Sequence, residues 1–236
     1  MKKIHLLKRS LIALCTLAIS SFSYAANDDP LLFKVMLDEV ETGVGSNKPT
    51  SFEAEAWLGK DINKLWLKAE GEYQNSDDKE AQAQALYSRA ISAYWDVQAG
   101  VRADRKPSVS REWAVVGIKG LAPYYFDIDA ALFVGNDERT ALRLRVEPDM
   151  LITQKLILSP EIELNIYGKN DREYGVGAGL ADISAGLRLR YEIVREFAPY
   201  IGVDWQQLYG NTAKYARARG DKKSHTQLVV GFRAWF

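Results

Sequence analysis

The stretch that decides the fold is the last one, Ser224-His225-Thr226-Gln227-Leu228-Val229-Val230-Gly231-Phe232-Arg233-Ala234-Trp235-Phe236. Apolar side chains occupy every second position from Leu228 to Phe236, and the opposite face of the strand includes His225, Gln227 and Arg233. A period of two residues is that of a β-strand with one apolar and one polar face. A strand that ends in Phe, apolar outward and polar inward, is typical of the last strand of a transmembrane β-barrel.

The same alternation recurs along the chain, most clearly over 142–150, 156–166 and 182–193. We predict an all-β, antiparallel outer-membrane β-barrel, because long alternating strands repeated to the last residue favour lipid as the apolar phase. We count about twelve strands, near 31–41, 51–59, 63–73, 82–91, 94–104, 111–121, 124–135, 138–150, 154–167, 182–193, 197–208 and 225–236. The segment 77–90 is rich in Ala and Gln and could be helical, so ten strands is the alternative count.

The predicted connections alternate in length, which indicates an orientation in the membrane. Short turns are expected near 60–62, 92–93, 122–123, 151–153 and 194–196, and longer loops near 42–50, 74–81, 105–110, 168–181 and 209–224. Short periplasmic turns and longer extracellular loops are the outer-membrane pattern. Aromatic residues near strand ends are predicted to form the interfacial girdles: Trp57, Tyr73, Tyr94, Trp95, Trp113, Tyr124, Tyr125, Tyr167, Tyr200 and Trp235.

The first 25 residues read as a secretory signal peptide, with a basic start, an apolar stretch over 11–21 and the small-x-small sequence Ser23-Tyr24-Ala25. The predicted division is therefore 1–25 signal peptide and 26–236 barrel domain. Cleavage removes the single Cys and four basic residues, so 27 basic side chains face 31 acidic ones and the net charge is −4. This balance does not favour nucleic acid as a partner. Beyond the N-terminus no apolar stretch is long enough for a spanning helix.

The inward face decides which chemistry is possible, and it carries both signs of charge. A network of salt bridges is one interpretation of the charged lumen, and a polar path for a small cation is the other. Soft metal ligands are scarce, since the chain after cleavage holds one His and two Met. The candidate metal ligands are therefore few and mostly carboxylates: His225, Met36, Met150, Asp127, Asp129, Glu161 and Glu163.

Catalysis is not expected. The sequence contains no Gly-x-Ser-x-Gly elbow, no His-Glu-x-x-His and no phosphate-binding loop. His225 lies near Asp221 and Ser224, a set that could imitate the site of an outer-membrane hydrolase, and this is the third interpretation of the chain.

Four strings of residues resemble the outer-membrane copper resistance protein B family: 57–72 (WLGKDINKLWLKAEGE), 95–102 (WDVQAGVR), 120–127 (GLAPYYFD) and 190–203 (RYEIVREFAPYIGV). The resemblance runs from about Phe33 to Phe236. It implies a barrel in the outer membrane of a Gram-negative bacterium that binds or passes copper ions and works with periplasmic copper-resistance proteins. Family members often carry a Met- and His-rich segment before the barrel, whereas here only 27–32 separates the cleavage site from the first strand.

The sequence thus predicts a barrel that binds, exports or sequesters copper ions, which are either transported or weakly bound. The alternative is a small porin-like barrel with an indirect role in metal tolerance. The other expected partners of the barrel are outer-membrane lipid and the insertion machinery that recognises the final strand.

Overall fold

A computed structural model describes residues 30–45, 49–75 and 78–236 of the chain. The predicted signal peptide lies outside the described residues. From Leu31 to Phe236 the chain forms one compact unit.

The unit is a closed antiparallel barrel of twelve strands, in which each strand pairs with its neighbours in sequence and β1 pairs with β12. Closure leaves no strand edge unpaired, as a sheet in lipid requires. The strands are β1 (Leu32–Gly43), β2 (Thr50–Gly59), β3 (Asn63–Asn75), β4 (Asp78–Ala90), β5 (Trp95–Lys106), β6 (Val109–Ala122), β7 (Phe126–Gly135), β8 (Thr140–Pro148, continued by Met150–Leu151), β9 (Leu156–Tyr167), β10 (Gly179–Tyr191), β11 (Phe197–Leu208) and β12 (Ser224–Trp235).

The count of twelve is confirmed and the count of ten is wrong. Residues 78–90 form a strand and not a helix, because their period is two: Gln84, Leu86 and Ser88 are buried inside the barrel, and the residues between them face outward. Composition favoured a helix here, but the tertiary environment of a closed sheet overrides propensity.

Two of the expected long loops are wrong. β5 and β6 are joined by the two residues 107–108, and β3 and β4 are separated only by 76–77, so the strands fill most of the segments expected as loops at 105–110 and 74–81. The long connections are 168–178 and 209–223, and the second contains the helix α1 (Gly210–Arg219). These connections lie at one end of the barrel, which we call the long-loop end; β1 begins and β12 ends at the opposite end. Within the described ranges no helix has the length and hydrophobicity needed to cross a membrane.

Apolar side chains cover the outside of the barrel, as membrane lipid requires. Leu67, Val101, Val116, Leu187 and Ile201 are each exposed on strand interiors. Their exposure is explained by lipid contact, which takes the place of a protein core.

Only part of the predicted aromatic girdle lies outside. Tyr94, Tyr124 and Tyr125 are exposed at the turns opposite the long-loop end, whereas Trp113 and Tyr200 are buried in the lumen and donate hydrogen bonds to acidic residues. The parity of a strand, more than nearness to its end, decides which side of the wall an aromatic ring takes.

A β-bulge in β1 shifts the inward face of that strand. The register with β2 slips between Leu37 and Glu39, so Asp38 and Glu39 both reach the interior. A bulge inserts one unpaired residue and changes the parity of everything after it. It therefore adds a second acidic residue to the lumen.

The seam between β1 and β12 provides a test of assembly. Phe236 exchanges two backbone hydrogen bonds with Val35, of 2.8 and 3.0 Å, at the end of this seam. We expect deletion of Phe236 to lower the amount of folded barrel in the outer membrane severalfold, as about two ladder bonds and the terminal aromatic are lost. Immunoblotting of unboiled membrane fractions measures this, and unchanged levels would show that the terminal residue is dispensable.

Candidate functional site

The lumen contains an ion-pair network that joins strands from opposite walls. Arg188 on β10 binds three carboxylates: Glu39 at 2.7 Å, Glu41 at 3.2 Å and Glu161 at 3.0 Å. Tyr200 adds a hydrogen bond from its hydroxyl to Glu41. A guanidinium has five N–H donors in a planar arrangement and can bind all three carboxylates, which the ammonium of a lysine could not do with the same geometry.

Two arginines on β8 continue the network across the barrel. Arg145 pairs with Glu53 on β2 and at 2.8 Å with Glu163 on β9. Arg143 reaches Glu70 on β3 at 3.2 Å and Glu163 at 3.5 Å. We call the set Glu39, Glu41, Glu53, Glu70, Glu161, Glu163, Arg143, Arg145 and Arg188 the ion-pair layer.

A second cluster joins β2 and β3 to β6 and β7 inside the lumen. Lys68 lies 3.2 Å from Glu55 and 2.5 Å from Asp129, and Lys119 lies 2.9 Å from Glu55. The Lys119 ammonium also lies 4.8 Å from the centre of the Trp66 ring, a cation–π contact. Both lysines are therefore paired with carboxylates inside the lumen.

The wall from β3 to β8 also carries an apolar patch that the alternation did not indicate. Trp66, Leu86, Val115 and Phe133 are buried in one cluster with Met36. The Arg102 guanidinium packs over the Phe133 ring at 4.5 Å. The lumen thus contains an apolar cluster beside its ion pairs.

A cavity of about 290 Å³ occupies the half of the lumen opposite the long-loop end, and we call it the vestibule. Eight acidic and six basic side chains line it, so acidic groups exceed basic ones by two. A separate cavity of about 20 Å³ lies deeper in, beside Arg143 and Arg145. That volume is close to the room needed for one water molecule. The ion pairs from Arg145 to Glu53 and from Arg143 to Glu70 cross the lumen from β8 to β2 and β3.

At the long-loop end the segment 168–178 folds inward over part of the lumen. The Tyr174 hydroxyl donates a hydrogen bond of 2.9 Å to buried Asp104, which also accepts one from the Trp113 indole. Burial, and then the neighbouring Asp104 carboxylate, raise the pKa of Tyr174 well above its ordinary value.

Asp171 clamps this segment to the barrel rim. Its carboxylate lies 2.8 Å from Arg111 and 3.0 Å from Arg139, and it accepts a hydrogen bond from the Tyr174 N–H. Burial alone would raise the pKa of Asp171, but the bonds from Arg111 and Tyr174 outweigh it, so this pKa lies below its usual range.

The clamp should fail at acidic pH. A carboxyl whose pKa is depressed by folding stabilises the folded segment above its ordinary pKa of about 3.9, and that contribution is lost as the pH falls through the lower folded value. We expect the Gly175 and Val176 amides, which donate to the Asp171 carbonyl, to lose protection from hydrogen exchange below about pH 4, after correction for intrinsic rates. Asp171→Asn should show the weaker protection already at neutral pH. Equal protection in the variant and the wild type would show that the clamp contributes nothing.

The predicted acidic ligands all lie on the lumen side, but they differ in availability. Asp129, Glu161 and Glu163 are held in ion pairs. Asp127 is exposed to the vestibule, and within the described residues it has no ion-pair partner. It is therefore the predicted ligand whose oxygens are most available to a cation.

The predicted soft ligands lie apart. Met36 lines the vestibule and is only 8% exposed. Met150 is 48% exposed, pairs with Leu158 and does not line the vestibule. His225 is exposed on β12 at the long-loop end, and in the described part of the chain it forms no hydrogen bond or ion pair with Asp221 or Ser224.

Across the described residues, no three His, Cys, Asp or Glu side chains are grouped so that they could hold a metal ion. Sequence reasoning missed several charged groups of the lumen, namely Asp38, Glu39, Glu41, Glu53, Glu55 and Lys119. Glu53 and Glu55 alternate with apolar residues in β2 and could have been found by parity; the bulge hides the inward placement of Glu39 and Glu41.

Two solved porins share this architecture. The KdgM porin superposes with a TM-score of 0.55 at 11% identity, over 86% of this chain and 99% of the porin. The NanC porin gives a TM-score of 0.56 at 15% identity, over the same shares of the two chains. Identities this low show the fold alone. The chain is an outer-membrane β-barrel with porin-like architecture.

The particular family follows from the sequence comparisons. Residues 31–236 match the family described as Copper resistance protein B precursor (CopB). The chain belongs to the copper resistance protein B family, and its location is the outer membrane. It is similar to Copper resistance protein B of Escherichia coli, with 44% identity over 90% of this chain and 72% of the relative. It is also similar to the Copper resistance protein B homolog of Pseudomonas syringae pv. tomato, with 47% identity over 79% of this chain and 63% of the relative.

Proposed function

We propose that this barrel binds copper ions weakly in the vestibule and passes them through the lumen, as the outer-membrane component of a copper-resistance system. The role is non-enzymatic. Periplasmic copper-resistance proteins are the proposed source or recipient of the ion at the end opposite the long loops.

The vestibule is the observation that carries the proposal. Its excess of acidic groups favours cations, the Asp127 carboxylate is exposed in it, and the Met36 thioether lines the same cavity. Oxygen ligands with a single thioether bind copper less tightly than several thiolates or imidazoles would. Weak binding suits a conduit, since an ion that enters must also leave.

The ion-pair layer supports a selective path over an open pore. The pairs of Arg145 with Glu53 and of Arg143 with Glu70 cross the lumen, and they would block a sugar. Carboxylates released from their arginines could bind a cation in turn, while the arginines take other acidic partners. Such an exchange would let an ion cross without a permanent channel.

A small porin-like barrel with an indirect role in metal tolerance is the second candidate. The likeness to the KdgM and NanC porins favours it, and one KdgM structure is described as a complex with oligogalacturonate. In that case uncharged solutes should pass as readily as metal ions.

Flux measurements separate the two. We place the mature barrel in liposomes loaded with a copper-sensitive dye, and in parallel we follow the swelling of liposomes in a monosaccharide. We expect copper entry to exceed that of barrel-free liposomes roughly tenfold while swelling stays at background, because the ion pairs across the lumen exclude sugars. Sugar entry without copper entry would reject the proposal in favour of the porin.

A further inference from the structure

The segment 210–223, which comprises α1 and the residues after it, is strongly basic. It carries five basic side chains, Lys214, Arg217, Arg219, Lys222 and Lys223, against the single acidic residue Asp221. All five basic residues are exposed. The segment therefore has a net charge of +4, whereas the rest of the chain after the predicted cleavage carries 22 basic and 30 acidic side chains, a net charge of −8.

Most of these charges have no ion-pair partner among the described residues. Arg219 pairs with Asp221 at 3.2 Å. The other four form no ion pair with any described residue. Neighbouring cations at the long-loop end behave differently: Lys106 pairs with Glu80 and Arg139 with Asp137, each at 2.8 Å.

Packing and hydrogen bonds fix the backbone that carries these charges. Thr212, Ala213 and Ala216 form the buried face of α1, and the Thr212 hydroxyl accepts a hydrogen bond of 2.8 Å from the Gly177 N–H. Gly220 ends the helix in the left-handed conformation, and its N–H bonds back to the Arg217 carbonyl. Fixing the backbone lowers the entropy lost when a ligand binds.

Helix stability explains only part of the pattern. Arg217 and Arg219 lie in the last turn of α1, where positive charge favours the helix dipole. Lys222 and Lys223 come after the helix, and Lys214 lies in its middle, so the dipole does not account for them. The cluster also lies at the far end of the lumen from the vestibule, and its charge would repel copper ions.

We propose that segment 210–223 binds the phosphate groups of lipopolysaccharide in the outer leaflet. The long-loop end of an outer-membrane barrel faces the cell exterior, where these phosphates form the adjoining layer of negative charge. Lys and Arg clusters next to a membrane bind anionic headgroups through charge and hydrogen bonds to phosphate oxygens. This inference does not depend on the proposed copper path.

Lipopolysaccharide binding to the purified barrel tests the proposal. The test variant replaces Lys214, Lys222 and Lys223 with Gln and leaves both helix-end arginines in place. The matched control replaces Arg89, Lys155 and Arg195 with Gln. These are three exposed basic residues at the opposite end that have no ion-pair partner among the described residues. Both variants should keep the wild-type shift in gel mobility on boiling, which reports a folded barrel.

The probe is fluorescent lipopolysaccharide titrated in detergent, alongside the same lipid after phosphatase treatment. We expect the test variant to bind roughly tenfold or more weakly than wild type, the control to stay within about twofold, and added salt to weaken wild-type binding. Phosphatase-treated lipid should bind wild type as weakly as intact lipid binds the test variant. Equal loss in both variants, unchanged affinity in the test variant or full binding of the phosphatase-treated lipid would each overturn the proposal.

Discussion

Replacing Arg188 with Met should destabilise the barrel by roughly 3–5 kcal/mol, because it leaves the buried Glu41 and the half-buried Glu39 without their cation. Arg188 is 8% exposed and forms ion pairs with Glu39, Glu41 and Glu161. Methionine keeps much of the volume of the arginine side chain, so the loss reports the charge more than a cavity. Urea unfolding of the detergent-solubilised barrel, followed by tryptophan fluorescence, measures the change.

Arg105→Met is the matched control. Arg105 lies 3.8 Å from Glu112, and both side chains are more than half exposed, so this substitution should change the free energy of unfolding by less than about 1 kcal/mol. Neutralising two of the stranded acids, with Glu39→Gln and Glu41→Gln in the Arg188→Met background, should restore part of the stability. Equal unfolding midpoints for Arg188→Met and Arg105→Met would show that the ion-pair layer does not stabilise the fold.

The layer shows which features of the lumen the sequence could predict. Alternation predicts that Arg188 and Glu161 face inward, because parity is a local property of each strand. It does not predict that Arg188 meets Glu41, a residue 147 positions away, since that contact depends on how the sheet closes. The bulge beside Asp38 is a further limit, because nothing in the local pattern marks where the parity of β1 changes.

The helix α1 was missed for a related reason. Its buried residues are Thr212, Ala213 and Ala216, which are too small and too few to produce a helical hydrophobic period. The surrounding residues are polar and basic, as in a loop. The strands were predicted well because lipid selects a large apolar residue at nearly every second position, whereas a surface helix on a loop needs only a narrow contact.

The difference between free and paired carboxylates leads to the last prediction, which concerns copper. Asp127 is exposed to the vestibule without an ion-pair partner among the described residues, so Asp127→Asn removes a charge from the proposed path and strands no cation. We expect this substitution to lower copper flux into liposomes roughly three- to tenfold, since a carboxylate is a far better cation ligand than an amide. His225→Ala should change flux by less than about twofold, because one imidazole at the rim does not make a copper site.

Two further variants make the comparison decisive. Asp129→Asn should lower flux and also destabilise the barrel, because it removes the nearer of the two carboxylates paired with Lys68, whereas Asp127→Asn should leave the urea midpoint unchanged. Met36→Leu keeps the packing of the vestibule wall and tests the thioether alone. If Met36→Leu or His225→Ala abolishes flux while Asp127→Asn has no effect, copper is held at a discrete soft-ligand site and the carboxylate path is wrong. A loss of flux in Asp127→Asn without loss of stability would instead identify the vestibule as part of the path of the ion.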